Sequence, residues 1–232
     1  MTRKFSLSLL ILAGLSLALH GKENAVQFRA VLHDPVRPTA ELYYTDKAGA
    51  VVQLDFRPKS LTSVLSTLPV NGSLVLYDTA TVDPLNPAES VAASAKLPAG
   101  IKSAIVVVLP APDGEKPAYR MVVIDDAEKA FPKGGSLVLP LLGVETAIQA
   151  GEHRIPVHPG QITVVPPVRK VNEFNMAQTN FYYKQGGSWT AFTERQLQYL
   201  DARRRVFIIH VTPGAIAPKV ATILDTTRTS SP

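Results

Sequence analysis

The stretch FPKGGSLVLPLLGVETAIQAGEHRIPVHPGQITVVPP, residues 131–167, decides the fold class. Short runs of Val, Ile and Leu alternate in it with Gly and Pro at intervals of about ten residues. This spacing is typical of a chain that folds back and forth in antiparallel strands, because Gly and Pro supply the tight turns between them. Pro140 has no backbone N–H, so the run that ends there is predicted to be an edge strand or to contain a bulge.

Apolar runs and turn residues continue the same pattern on both sides of this stretch. Residues 104–109 and 119–124 flank a turn that contains Pro and Gly, and we predict that they pair as antiparallel strands. An aromatic hairpin is predicted for residues 180–184 and 188–192, with Gly186-Gly187 between them. The chain is therefore predicted to be rich in strands.

Two segments interrupt the strand pattern. Residues 60–68 place Leu and Val at helical spacing but end before a proline, so they are predicted to be irregular or to form one helical turn. Thr193 and Gln196 fit a capping box, which predicts a short helix over residues 194–202. The helix content is expected to stay below about 15%, against roughly a third in average proteins.

The pattern as a whole predicts an all-β fold, an antiparallel, Ig-like β-sandwich built as two tandem sandwich units with one short helix. Residues 22–126 are predicted to form the N-terminal unit and residues 127–226 the C-terminal unit, with the junction near residues 126–133. Residues 227–232 are predicted to be a disordered tail. Two separate units and one continuous sandwich both fit this pattern.

Residues 1–21 have the pattern of a secretory signal peptide, since a positive start is followed by apolar residues 5–19 and then by a polar segment. The apolar run is shorter than the roughly 20 residues of a membrane-spanning helix. We therefore expect export to the periplasm or the cell envelope, with cleavage near residues 21–25 and no transmembrane span afterwards. An uncleaved anchor is the alternative, because Leu19 stands where a small residue is preferred before the cleavage site.

Cysteine is absent from the whole sequence. A lipid anchor on an N-terminal Cys, disulfide bonds, thiolate zinc sites and Cys nucleophiles are therefore excluded. The formal net charge of +5 falls to +3 (5 − 2) when Arg3 and Lys4 leave with the signal. The remaining basic excess lies in residues 166–206, whereas residues 22–126 are slightly acidic, so the basic character is local.

Two groups of side chains in the C-terminal part are candidates for a binding site. The first is a possible anion-binding surface formed by Arg169, Lys170, Arg195, Arg203, Arg204 and Arg205. Its alternative is a solvated end of the predicted helix, where cations suit the helix dipole. The second is a possible sugar-stacking platform of Tyr182, Tyr183 and Trp189, extended by Phe192 and Tyr199. Its alternative is that alternate members belong to the core and the rest form cross-strand pairs.

The common catalytic and metal-binding patterns do not occur in the sequence. His153 and His158 lie five apart in strand-like sequence and are predicted to point to opposite faces, which disfavours a two-His metal clamp. Asp125 and Asp126 are adjacent and are predicted to point apart, in turn and capping roles. His210 is predicted to face outward from a strand. In the absence of G-x-S-x-G, H-E-x-x-H, P-loop and G-x-G-x-x-G motifs, no catalytic, cofactor-binding or metal-binding residue and no cofactor is predicted.

Several local sequence features resemble those of other proteins. Residues 119–143 combine a strand that ends in an acidic pair with an FP-x-G-[GS] turn, HPGQITVVPP places Pro-Gly before a Val-rich strand, and FYYKQGGSW is a Trp-bearing hairpin. In these features the chain resembles a loose group of uncharacterised exported bacterial β-sandwich proteins. The group usually has an Asn where this chain has Leu139-Pro140-Leu141. The resemblance implies the fold and the exported location, and it supplies no catalytic residue.

Three functional hypotheses fit these observations. The first is a non-enzymatic protein of the periplasm or cell envelope with a structural or binding role, for which the partner would be an envelope protein. The second is a carbohydrate- or anionic-polymer-binding module that uses the basic and aromatic C-terminal region, with an anionic glycan as partner. The third is an enzyme of unrecognised type. No nucleic-acid partner is expected.

Overall fold

The computed structural model describes residues 24–36, 40–83 and 85–226, and both the predicted signal peptide (1–21) and the predicted tail (227–232) lie outside these residues. The described chain is all-β, as predicted, and its helical content is one 3-10 turn at Pro87–Ser90. No helix in these ranges is long and apolar enough to cross a membrane. The strands are β1 (Val26–Leu32), β2 (Tyr43–Thr45), β3 (Val51–Gln53), β4 (Leu65–Thr67), β5 (Ser73–Tyr77), β6 (Val91–Lys96), β7 (Ser103–Pro110), β8 (Tyr119–Asp125), β9 (Ser136–Pro140), β10 (Thr146–Ala150), β11 (His153–Val157), β12 (Thr163–Val165), β13 (Met176–Gln185), β14 (Ser188–Gln198), β15 (Arg204–His210) and β16 (Lys219–Asp225).

The strands form four sheets, and the second pair of sheets repeats the topology of the first. The orders β3-β2-β5-β6 (first outer sheet) and β4-β1-β7-β8 (first inner sheet) recur as β11-β10-β13-β14 (second outer sheet) and β12-β9-β15-β16 (second inner sheet). In the inner sheets β1 pairs parallel with β7, and β9 pairs parallel with β15. The predicted antiparallel pairing of residues 104–109 with 119–124 is confirmed by the ladder between β7 and β8.

Three hydrophobic clusters stack the sheets into four layers. The first cluster, around Leu76, lies between the first outer and first inner sheets. The second joins the two inner sheets through Ile105 and Val206, and the third joins the second inner sheet to the second outer sheet around Phe181. Alternation along β7 gives it two buried faces, because Val106 enters the first cluster and its neighbour Ile105 enters the second. The predicted boundary after residue 126 falls between β8 and β9, and the division into two units stays a prediction.

The prediction that Pro140 marks an edge strand or a bulge is wrong. β9 lies between β12 and β15, and all five of its residues are buried. Pro140 is tolerated because the Leu141 N–H donates to Ile209 O of β15, so the nitrogen of Pro140 faces the β12 side of the strand. β12 pairs with β9 no further than Val138, and no ladder bond is lost at the proline.

The predicted helix over residues 194–202 is also wrong, and the irregular interpretation of residues 60–68 is confirmed only for residues 61–64 and 68. Residues 194–198 belong to β14, which pairs with β13 along a long antiparallel hairpin, and residues 199–202 form a loop and turn. Cross-strand pairing outweighs a local capping pattern, because an isolated short helix is marginal without a packed face. In the ambiguous segment 60–68, Leu65–Thr67 forms β4 against β1, a long-range partner that local spacing does not reveal.

Candidate functional site

The predicted anion-binding surface is divided by burial. Arg204 is 3% exposed and Arg205 is 5% exposed, so the expectation that both face solvent beside Arg169 and Lys170 is wrong. Consecutive residues of a strand point to opposite faces. Arg204 therefore points between the two inner sheets, and Arg205 points between the second inner and second outer sheets.

Arg204 belongs to a buried group of four charges, Arg29, Asp126, Arg204 and Asp225, which we call the ionic tetrad. Arg204 donates from Nη2 to Asp126 Oδ1 (2.7 Å) and from Nε to Asp225 Oδ2 (3.0 Å). Arg29 donates from Nη2 to Asp126 Oδ2 (3.1 Å) and Asp225 Oδ2 (3.0 Å). Two positive and two negative charges thus neutralise one another between the inner sheets, and each half of the chain supplies one Arg and one Asp.

The electrostatics of the tetrad favour its ionised form. Burial alone would raise the pKa of Asp225, but the hydrogen bonds and charges of Arg29 and Arg204 outweigh burial and hold that pKa well below its usual value. Burial alone would lower the pKa of Arg29, and Asp225 and Asp126 raise it instead. The Arg204 guanidinium also covers the Phe131 ring at 4.1 Å and donates to the Phe131 carbonyl. These side chains are structural partners of one another.

Arg205 is buried on the other side of β15. Its guanidinium lies 4.8 Å from the centre of the Tyr199 ring, and it donates to the Gln198 carbonyl. The Tyr199 hydroxyl in turn lies 2.7 Å from Thr179 Oγ1. Tyr199 is itself buried, so it is a core residue and takes no part in an exposed aromatic platform.

The remaining predicted basic residues are exposed or half-buried. Arg169 and Lys170 are exposed, and Arg169 pairs with Asp201 at 2.7 Å. Arg195 is half-buried on β14, and Arg203 donates to the Gln198 side chain at 3.0 Å. Burial therefore removes Arg204 and Arg205 from any exposed basic surface, whereas Arg169 and Lys170 remain exposed.

The predicted sugar-stacking platform is divided in the same way, between the two faces of the second outer sheet. Tyr182 and Tyr183 are neighbours on β13, so they point to opposite faces. Tyr183 points inward with Phe181 and meets Phe192 edge-on at 5.8 Å. A β-bulge opposite Phe181 and Tyr182 leaves Phe192 unpaired and available for these inward contacts. Trp189 and Tyr182 remain on the outer face.

The outer face of the second outer sheet combines these two aromatic rings with a row of amides and one guanidinium. Tyr182 OH donates to Gln149 Oε1 at 3.4 Å and accepts from Asn180 Nδ2 at 3.3 Å. Arg154 Nη2 donates to the same Gln149 oxygen at 3.4 Å. We call Gln149, Arg154, Asn180, Tyr182 and Trp189 the outer-face site. The row arises from strand alternation, since β10 buries Thr146, Ile148 and Ala150 and turns Ala147 and Gln149 outward.

A depression of about 380 Å³ lies on this face, lined by Gln149, Arg154, Tyr182 and Trp189 together with Ala147 and Pro156. Ala147 is directly opposite both Pro156 and Tyr182 in the ladders, and its small side chain leaves the floor of the depression open. Among the described residues that line it, none is Asp, Glu or His. The chemistry offered there is ring stacking and hydrogen bonding.

The structure differs from the histidine predictions only for His210, whose ring is not turned outward. His153 and His158 lie apart, with His153 Nε2 near the Pro167 carbonyl (3.2 Å) and His158 near Glu145 (3.7 Å). The prediction that His210 faces outward is wrong, because its ring packs against His33. Over the described ranges no group of three or more His, Cys, Asp or Glu residues could hold a metal ion.

The adjacent carboxylates at the end of β8 point apart, as predicted, but the predicted turn role is confirmed only for Asp125 and is wrong for Asp126. Asp125 Oδ1 accepts from the Ala127 N–H at 2.9 Å in a turn, whereas Asp126 turns inward to the ionic tetrad.

No protein-family model matches this sequence, and the comparison with curated proteins gives no match. The functional assignment therefore rests on the geometry of the outer-face site and on the charge and burial around it.

Proposed function

We propose that this is an exported, non-enzymatic β-sandwich protein of the periplasm or cell envelope that binds carbohydrate on its second outer sheet. One observation carries the proposal: Tyr182 and Trp189 share a face with the amide row around the depression of about 380 Å³. Export is inferred from the signal pattern of residues 1–21.

The outer-face site matches the two kinds of surface that a sugar ring presents. A pyranose has an apolar C–H face, which an aromatic ring can cover, and a rim of hydroxyls that amides can both donate to and accept from. Trp189 is 48% exposed and lines the depression, so its ring is accessible to a ligand there. The depression is open along the sheet, which suits a segment of a polysaccharide better than a small enclosed metabolite.

The choice between a neutral and an anionic glycan depends on the cations that remain at the face. Arg204 and Arg205 are buried and cannot contribute. Arg154 lines the depression, and Lys184 lies 6.0 Å from the Trp189 ring but is paired with Glu145 at 2.7 Å. This arrangement supports recognition led by stacking and amide contacts, with one guanidinium available for a carboxylate on the polymer.

A sedimentation assay tests the proposal. The purified protein is mixed with insoluble peptidoglycan or cellulose, and the protein left in solution is measured. Tyr182→Ala and Trp189→Ala are each expected to weaken binding about tenfold or more, because each removes a stacking surface from the centre of the site. Phe174→Ala is the matched control, since Phe174 is an exposed aromatic residue outside the outer-face site. Equal loss in all three variants, or binding that no variant changes, would contradict the proposal.

A further inference from the structure

Two histidines from opposite halves of the chain meet at one end of the inner sheets. His33 continues β1 beyond Leu32 and donates its backbone N–H to Val108 O of β7. His210 is the last residue of β15. The centres of the two rings lie 4.6 Å apart with the planes at 72°, an edge-to-face contact that directly joins the first inner sheet to the second.

The surroundings of the two rings suit neutral imidazoles. His33 Nε2 and His210 Nδ1 are both buried, and neither has a hydrogen-bond partner in the described parts of the chain. A proton added to either nitrogen would create a buried cation beside the other ring, with no acceptor to receive its N–H. The charged groups that act on the rings oppose each other: Asp34, next to His33, favours protonation, and Lys219, opposite His210 in the β15–β16 ladder, disfavours it. A backbone hydrogen bond with Val211 also favours protonation of His210, but burial and Lys219 outweigh it.

We propose that the contact between His33 and His210 is an acid-sensitive lock between the two inner sheets, closed while both rings are neutral and released when either ring takes up a proton. The lock is independent of the proposed carbohydrate site. It joins the halves at one end of the inner sheets, whereas the ionic tetrad joins them through β1, β15 and the ends of β8 and β16.

The direction of the pH dependence follows from the burial of the rings. Burial and the neighbouring His210 lower the pKa of His33 from 6.5 to about 4, and burial and Lys219 also lower the pKa of His210. A histidine exposed by separation of the sheets regains its ordinary pKa, so the separated state binds more protons than the closed state between pH 6.5 and 4. Stability is therefore present above about pH 6.5 and is lost progressively as the pH falls toward 4.

Thermal unfolding of the full-length protein between pH 7.5 and 4.5 tests the lock. The parent is expected to take up roughly one to two protons per molecule on unfolding near pH 5, seen as a midpoint that falls with pH. The double variant His33→Gln/His210→Gln should lose most of this pH dependence. The control is His153→Gln/His158→Gln, which removes the same number of histidines from outside the inner sheets and should keep the parent's dependence.

Two further measurements on the parent do not depend on a foldable variant. In a histidine ring NMR titration, the ring signals of His33 and His210 should titrate below the ordinary histidine value of 6.5. Hydrogen exchange, corrected for intrinsic rates, should show β1, β7, β9 and β15 losing protection between pH 7 and 5 before the hairpin of β13 and β14. All histidines titrating near 6.5, or equal loss of protection in the hairpin and the inner strands, would overturn the proposal.

Discussion

The first eight strands and the last eight share one strand order but differ in their outer sheets. In the first outer sheet, β5 (Ser73–Tyr77) and β6 (Val91–Lys96) are short, and outward positions such as Val75 and Ser94 carry small side chains. In the second, β13 and β14 are about twice as long and carry Tyr182 and Trp189 outward. The two halves thus share one strand order, whereas the candidate binding site lies only on the outward face of the second outer sheet.

The inner sheets show a second difference between the halves. The aspartates of the ionic tetrad come at the ends of corresponding strands, β8 and β16, whereas its arginines come from β1 and β15, which do not correspond. The halves are therefore complementary at their contact. Each supplies the charge that the other requires, so a chain missing one half would leave a buried Arg and Asp without their cross-half partners.

The largest expected effect comes from breaking this complementarity. Arg204→Gln removes one of the two cations of the tetrad and leaves the buried Asp126 and Asp225 with an excess of negative charge. We expect the free energy of unfolding to fall by about 3–5 kcal/mol, because removal of one partner leaves an uncompensated buried charge. Urea unfolding measures this difference.

The matched control for this variant is Arg169→Gln, which removes a guanidinium of the same type from an exposed pair with Asp201. Exposed ion pairs contribute about 0–1 kcal/mol, so this variant should unfold close to the parent. Parent-like stability in Arg204→Gln would show that the tetrad does not hold the two halves together.

Acid should act on the tetrad in a different pH window from the histidine pair. The pKa of Asp225 is lower in the folded protein than its ordinary value of 3.8, so the stabilisation is complete above about pH 5 and is lost as the pH falls below about 4. We expect a loss of about 1–3 kcal/mol between pH 4 and 2 in the parent. Chemical unfolding at a series of pH values measures it, and an Asp225→Asn variant should show a flatter profile there. An unchanged slope in that variant would assign the acid sensitivity to other carboxylates.

The smallest effect distinguishes a buried tyrosine hydroxyl from an exposed one in the second half of the chain. Tyr199→Phe removes a buried hydroxyl that lies 2.7 Å from Thr179 Oγ1 and should cost about 1–2 kcal/mol of unfolding free energy. Tyr183→Phe removes an exposed hydrogen bond to Gln185 and should change stability by less than about 0.5 kcal/mol. Both values come from thermal unfolding at neutral pH. A reversed order would mean that Tyr199 is not the buried member of the aromatic set.

Strand content was predictable from the sequence because Gly and Pro spacing acts locally, and the pairing of residues 104–109 with 119–124 followed from a short connection. The burial of Arg204 and Arg205 does not follow from their charge, which favours exposure just after the predicted helix over residues 194–202. Strand alternation already places consecutive residues on opposite faces, which would have separated Arg204 from Arg205 and Tyr182 from Tyr183. The partners Asp126 and Asp225 and the packing of four sheets depend on long-range contacts that no local pattern specifies.

The fluorescence of Trp189 tests the carbohydrate-binding face most directly, because it is the single tryptophan of the chain and belongs to the outer-face site. The purified protein is titrated with soluble peptidoglycan fragments and with cello-oligosaccharides. We expect a saturable shift of the emission to shorter wavelength, as a sugar ring displaces water from the indole. Binding should be at least tenfold weaker in Tyr182→Ala and unchanged in Phe174→Ala. An emission unchanged by either series, or binding seen by calorimetry that leaves the emission unchanged and persists in Tyr182→Ala, would contradict it.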